Sequence, residues 1–289
     1  MITSHGETPA LDPRWGENTP THDPQVLAHF EPRHSDILIT TAPKSGTTWM
    51  QQILHQLRSG GDTHFSSIND VVPWLEKPNA HQTWQQRLQQ FAELPDPRIF
   101  KTHCTAEQTP GIDRVNIILS SRDPRDCCVS MYHHILNMTE ATRAQTGIPY
   151  PPSFDQHVEQ WLAGGAWYRN IKSWWPYYDH TNVLWLRYQD MKRDLATCMT
   201  QITDFLKWQI TAEQKARALE YSSFEWMKQH DEKFSRQDST DKPLFKPGQF
   251  IRKGEVGSHQ QLMTAEQEER ILNQAHQCLD KDCLRFLEL

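Results

Sequence analysis

An α/β fold, with a mainly parallel central sheet flanked by helices, is what this sequence predicts, and three observations predict it. Short apolar runs alternate with stretches of helical periodicity, an order that puts crossover helices between parallel strands. The first run passes directly into a turn rich in small and hydroxyl residues, Thr41 to Trp49, which opens a helix in a P-loop-like manner. The length of 289 residues, with eleven Trp and eleven Phe, is enough to bury a core on both faces of a sheet.

The elements follow in order. Asp36–Ala42 (DILITTA) reads as a short buried strand, and Thr47–Arg58 as a helix with Met50, Ile53, Leu54 and Leu57 on one face. Arg98–Thr102 and Val115–Ser121 are the next two strands, and Cys127–Asn137 is a helix after them. Ser153–Ala163 and Trp167–Tyr178 read as helices, Asn182–Tyr188 as a fourth strand and Met191–Lys207 as one more helix. Thr211 with Gln214, and Thr264 with Gln267, have the spacing of capping boxes and start two late helices. Thr139–Pro152 and Gln229–Gly257 carry clustered Pro and Gly and are expected to be irregular, as functional loops or lids. Residues 1–35 are polar, rich in Pro, His and Thr, and read as a mostly irregular arm lying on a single domain that spans 36–289.

Composition narrows the function. A net charge of −6 gives no global basic field to recruit nucleic acid, so any anion site must be local. No apolar run reaches the ~18 residues of a membrane span, and the N-terminus lacks the order of a secretory signal. The six cysteines show no metal-ligand spacing and read as reduced thiols of a cytoplasmic protein. The fifteen histidines form no metal motif and read as scattered and solvated; no metal is expected. The tryptophans read mainly as core packing.

The chemistry concentrates in four segments. Pro43-Lys44-Ser45-Gly46-Thr47-Thr48-Trp49 lies between the first strand and the first helix, where free N–H groups and the helix dipole bind phosphate. Its lysine stands three residues upstream of the position an NTPase lysine would occupy, Thr47. Arg122, after the third strand, and Ser130, eight residues on inside the next helix, add a guanidinium fork and a hydroxyl. Arg252-Lys253-Gly254 is a basic turn, and Lys101-Thr102-His103 ends the second strand. Each alone has a plainer reading as a capped turn, a surface cation or a strand-end histidine; their order and spacing together do not.

These segments resemble the cytosolic sulfotransferase family, and the resemblance runs from about Asp36 to the C-terminus. The first resembles the family's 5′-phosphosulfate loop residue for residue, and Ile118–Tyr132 resembles its 3′-phosphate segment. Leu186–Met191 is similar to the strand end whose Tyr, here Tyr188, contacts adenine. Ser222–Met227 is similar to the segment that wraps the adenine ring, here with Ser222, Phe224 and Met227.

The resemblance implies a transferase that moves a sulfuryl group from 3′-phosphoadenosine-5′-phosphosulfate (PAPS) to a hydroxyl of a small acceptor, leaving adenosine 3′,5′-bisphosphate. It implies His103 as general base, Lys44 on the leaving phosphate oxygen, Lys101 on the transferring group, and Ser130 on the 3′-phosphate and as a restraint on Lys44. The donor would be held by Lys44, Ser45, Gly46, Thr47, Thr48, Trp49, Arg122, Ser130, Tyr188, Ser222, Phe224, Met227, Arg252, Lys253 and Gly254. The alternatives are a P-loop-type small-molecule kinase, with Asp123 as a metal-binding carboxylate, and a catalytically inactive nucleotide-binding protein on the same fold.

Three departures stand out. Gly257-Ser258-His259-Gln260 replaces the family's G-D-W-K, the family's dimer segment lacks its Lys and Val here, and an aromatic common in phenol-specific members is His134. The chain is thus expected as a monomer or homodimer. Its acceptor is open among phenols, steroid or other alcohols and amines, with Trp74, Trp84, Tyr132, His134, Met138 and Trp167 as residues for an apolar cavity or simply for the core.

Overall fold

The strands of the sheet alternate between two apolar layers. Leu38, Phe100, Ile117, Leu119 and Trp185 face one layer, and Ile37, Ile39, Ile99, Ile118 and Leu186 face the other. A strand buried on both faces reads as a continuous apolar run, as these do. The structure, a computed structural model, describes residues 11–151, 153–236 and 243–289. Strands β1 (Ile37–Thr40), β2 (Ile99–Thr102), β3 (Asn116–Ser121) and β4 (Val183–Arg187) pair in parallel in the order β2-β1-β3-β4. The chain turns to opposite sides after β1 and β3, so a crevice opens at their carboxyl ends, the place where such sheets bind ligands.

The helices are α1 (Pro24–His29), α2 (Thr47–Ser59), α3 (Ile68–Val71), α4 (Trp84–Ala92), α5 (Pro124–Asn137), α6 (Glu140–Thr146) and α7 (Phe154–Gly164). They continue with α8 (Ala166–Trp174), α9 (Tyr188–Arg193), α10 (Leu195–Leu206), α11 (Ala212–Tyr221), α12 (Phe224–Gln229), α13 (Ala265–Cys278) and α14 (Lys281–Leu287). On one face α2, α10 and α11 cover the sheet; on the other lie α1, α8, α13 and α14. Both capping boxes form, at Thr211 and at Thr264. No helix of the described residues is long and apolar enough to cross a membrane.

Several boundaries differ from the sequence reading. Thr139–Pro152 is not wholly irregular. Thr139 caps α6 through Thr142 N–H, and Gly147 closes it in the left-handed region at φ 63°. Pro152 lies outside the described residues. Met191–Lys207 is two helices, because Asp194 leaves helical geometry and its carboxylate caps α10 at Thr197 N–H. Trp167–Tyr178 ends its α-helix at Trp174, and a 3-10 turn over Trp175–Tyr177 accommodates Pro176. Residues 237–242 of Gln229–Gly257 and residues 1–10 of the arm lie outside the described residues. The rest of the arm holds α1, whose Val26 and Leu27 are buried in the core.

Candidate active site

The turn after β1 is built by two left-handed residues, Lys44 at φ 69° and Gly46 at φ 97°. Gly46 is the N-cap of α2 and offers no side chain, so the first-turn N–H groups of a thirteen-residue helix stay open to an anion. Any Cβ at Gly46 would stand 2.9 Å from the Tyr188 ring, so glycine is required twice over. Behind the turn, Ser120 Oγ donates to the Ser45 carbonyl at 2.7 Å and the Thr41 and Thr47 hydroxyls pair. These buried bonds fix the loop from below.

One cavity of about 540 Å³ runs from this turn past Lys101 and His103 to Thr21, His22 and Phe91. At one end, the Arg122 guanidinium stacks on Tyr188 at 4.6 Å and donates to the Glu255 carbonyl at 2.7 Å. Arg122 Nε is buried with no hydrogen-bond partner among the described residues, and Arg122 lines the cavity together with Ser130, Arg252, Lys253 and Gly254. Trp49 packs edge-on against Tyr188 at 5.4 Å and donates its indole N–H to the Ser222 carbonyl at 2.8 Å. Phe224 lies against Gly254, where a Cβ would approach its ring to 3.1 Å. Aromatic rings beside crowded cations suit an adenine nucleotide with more than one phosphate.

Toward the middle stand Lys44, Lys101 and His103. Burial lowers Lys44 to about 7, helped by the charges of Arg122 and Arg252. Burial lowers Lys101 to about 7 as well, with Lys77 adding to it, and its Nζ lies 4.4 Å over the Trp74 ring. Such crowding of cations, in a chain whose net charge is −6, marks a local site suited to an anion. Nδ1 of His103 donates to the Thr41 carbonyl at 2.8 Å; a carbonyl can only accept, so Nε2 carries the lone pair. Burial lowers the imidazole below its ordinary range, keeping it neutral near pH 7. Nδ1 of His134 takes a hydrogen bond from Lys44 Nζ at 2.9 Å.

Of the residues named from the sequence, thirteen donor-site and all four catalytic positions line this cavity; Ser45 and Ser222 do not. Their hydroxyls are buried, Ser45 beside the Cys127 thiol and Ser222 without a partner among the described residues, and both serve the site through main-chain carbonyls. Trp74, His134 and Met138 line the cavity, whereas Trp167 is core, Trp84 stacks on His29 and Tyr132 packs on Phe154. Histidines read as solvated are not: His134 lies in the cavity, and His157 and His259 are buried. Asp123 caps α5 and pairs with Arg125 at 2.6 Å, which leaves it no metal role. No group of three or more His, Cys, Asp or Glu able to hold a metal occurs among the described residues.

Residues 34–281 match the family described as the sulfotransferase domain. The chain belongs to the sulfotransferase family. This sulfotransferase is 30% identical over 270 residues to Sulfotransferase 1E1 of Bos taurus, covering 90% of this chain and 88% of that one. Against Sulfotransferase 1E1 of Rattus norvegicus it is 32% identical over 239 residues, 79% of this chain and 78% of the other. Among solved structures, mouse sulfotransferase SULT7A1 complexed with PAP shares the fold with a TM-score of 0.71 at 24% identity, over 91% and 92% of the two chains. Retinol dehydratase in complex with retinol and PAP does so at 0.67 and 22% identity, over 92% and 86%.

Sequence reasoning about this sulfotransferase missed Glu76 and Lys192, both in the cavity wall. Neither sits in a motif. Glu76 reaches the site only because Trp74 pairs with Lys101 beside β2. Phe245 and Phe250 reach it because the segment before Arg252 folds over His134, with ring centroids 4.6 and 5.9 Å away.

Proposed function

We propose that this sulfotransferase transfers the sulfuryl group of PAPS to a hydroxyl of a small acceptor, phenol or alcohol, with His103 as general base. The observation that carries this reading is the tautomer of His103 set by the Thr41 carbonyl, which leaves Nε2 its lone pair in a residue that lines the same cavity as Lys44 and Lys101. When bound, PAPS supplies the sulfuryl group and departs as adenosine 3′,5′-bisphosphate. The open N-terminus of α2, Thr47, Thr48 and Lys44 would receive the 5′-phosphosulfate; Arg122, Ser130, Arg252 and Lys253 the 3′-phosphate; Trp49, Tyr188, Phe224 and Met227 the adenine. Lys44 and Lys101 stabilise charge developing on the oxygens in an in-line transfer, a task of positioning and electrostatics. The acceptor end is lined by Trp74, Phe91, Met138, Ile148, Leu244 and Phe245, which suits an apolar body around the hydroxyl.

The test is a donor-dependent screen over hydroxylated compounds and amines, read by mass shift, with His103→Ala in parallel. Turnover should be lowered roughly 10²- to 10⁴-fold by that substitution, with donor affinity little changed. Stabilisation by Mg-ATP instead of adenosine 3′,5′-bisphosphate in a melting assay, or EDTA-sensitive turnover restored by Mg²⁺, would point to a kinase. Wild-type turnover by His103→Ala places the base elsewhere.

A further inference from the structure

We propose that Glu76 is a positioning residue for the transfer step, its buried carboxylate fixing the chain at His103 and facing the imidazole as that ring takes up the acceptor proton. This inference rests on the reading of His103 as the base. Glu76 is 2% exposed, yet it borders the cavity that holds His103 and Lys101. Its Oε1 accepts the His103 backbone N–H at 2.8 Å, and its Oε2 has no hydrogen-bond partner among the described residues.

The backbone around Glu76 is tied on two sides. Leu75 N–H donates to the Lys101 carbonyl at 2.9 Å and Lys101 N–H to the Pro73 carbonyl at 2.9 Å, extending the sheet beyond β2. Asp23 N–H, at the start of α1, donates to the Glu76 carbonyl at 2.7 Å. The carboxylate therefore has little freedom to turn toward water. A buried carboxylate with one neutral donor is a cost to folding unless nearby charge offsets it.

The chemistry accounts for it. In the transfer step the acceptor O–H bond breaks and its proton goes to Nε2 of His103. The acceptor oxygen forms its bond to sulfur with the electron pair released, and the sulfur–oxygen bond to the phosphate breaks, its pair leaving on the nucleotide. His103 gains a positive charge beside Lys101 on β2 and Lys44 after β1, with Lys77, in the loop after α3, and the neutral His134 on α5 lining the same cavity. Burial, Lys101 and Lys44 all oppose that charge; Glu76 and the Thr41 carbonyl favour it. Without Glu76 the ring would be a much weaker base in this surrounding. The thiol of Cys104, raised by burial and by Glu76, stays protonated and takes no part.

Glu76→Gln separates charge from scaffold, since the amide carbonyl can still accept the His103 N–H. The readout is the pH profile of kcat/KM with chemistry limiting, beside adenosine 3′,5′-bisphosphate affinity and the melting temperature. Glu76→Gln should lower kcat about tenfold and move the acid limb about one pH unit lower, as expected for loss of a neighbouring opposite charge, with nucleotide affinity unchanged within about twofold. His103→Ala should remove the acid limb. If His103→Ala removes it while Glu76→Gln keeps the wild-type limb and kcat, the inference about Glu76 fails and the base assignment stands. If His103→Ala keeps both, the base assignment fails. Should Glu76→Gln not fold, Glu76→Asp and Glu76→Asn pose the same comparison at a shorter length. A limb lower in the Asn variant than in the Asp variant supports the charge role, and coincident limbs refute it.

Discussion

Asp126 in the first turn of α5 and His259, 133 residues later, share a buried hydrogen bond of 2.9 Å from the imidazole Nδ1 to Oδ1. The same carboxylate accepts the N–H groups of Gly257 and His259 at 2.9 and 3.0 Å and the Ser258 hydroxyl at 3.2 Å. Burial alone would raise the Asp126 carboxyl, yet the His259 bond and the Arg122 charge hold it at about 2. The segment that departs from the family pattern is thus stapled to the helix that carries Ser130, immediately after Arg252-Lys253-Gly254. Asp126→Ala should free the basic turn. Adenosine 3′,5′-bisphosphate binding should weaken by roughly 1–3 kcal/mol, and adenosine 5′-phosphate binding by less than half of that. Calorimetry with both nucleotides checks it; equal losses would detach the staple from 3′-phosphate recognition.

Nucleotide binding should draw protons into the protein. Lys44 and Lys101 titrate near 7 in the free site, so at pH 8 both amines are largely neutral. An anion beside them favours the charged form and raises both values. Affinity for adenosine 3′,5′-bisphosphate should therefore fall as pH rises above 7, approaching about tenfold per unit for each lysine engaged. The uptake itself is measured by calorimetry in buffers of different ionisation enthalpy; no uptake at pH 8 would mean the lysines are already charged. The same depression has a folding consequence: between about pH 7 and the ordinary lysine range the unfolded chain binds more protons, so stability of the free protein rises with pH there.

The segment before Arg252 should behave as a lid. Thr139 N–H donates to the Leu244 carbonyl at 3.0 Å and Lys246 N–H to the Asn137 carbonyl at 2.9 Å, which pins it across the α5–α6 junction. Ile251 N–H donates to Asp231 at 2.6 Å, closing its base. Few apolar anchors offset its ordering, so bound phosphate at Arg252 and Lys253 should complete it. Hydrogen exchange at Leu244, Lys246 and Ile251 should slow on adding adenosine 3′,5′-bisphosphate, while β3 stays protected throughout. Unchanged exchange at saturation identifies a static loop.

Gly46→Ala should damage binding and folding together. The left-handed backbone strains any side chain, and the new Cβ meets the Tyr188 ring. A cost of roughly 1–3 kcal/mol in stability is expected, read from denaturant unfolding, with a larger relative loss of nucleotide affinity than Gly254→Ala, whose neighbour Phe224 can yield.

The parallel sheet, both capping boxes and the phosphate turn were legible because each is written locally: apolar runs, hydroxyl–amide spacing, a small-residue turn before a helix. α6 was not. Pro149, Pro151 and Pro152 dominate its segment, while its own signals, Thr139 as cap and Gly147 as stop, bound only seven residues. Asp194 reads equally as helix surface or as cap, and only tertiary packing decides. Lys44, Lys101, His103 and Arg122 were found through family motifs that sit at strand ends, which converge in any such sheet. Glu76 and His259 were not, since each acts across a contact between distant segments, and no periodicity encodes which distant carboxylate meets which histidine or amide.

Thr21 and His22 of the arm form part of the cavity wall, and α1 beside them inserts Val26 and Leu27 into the main core. The stretch that matches the family begins only at residue 34. A substitution at Thr21 or His22 that changed this wall of the cavity would therefore also touch a stretch on which the integrity of the core depends.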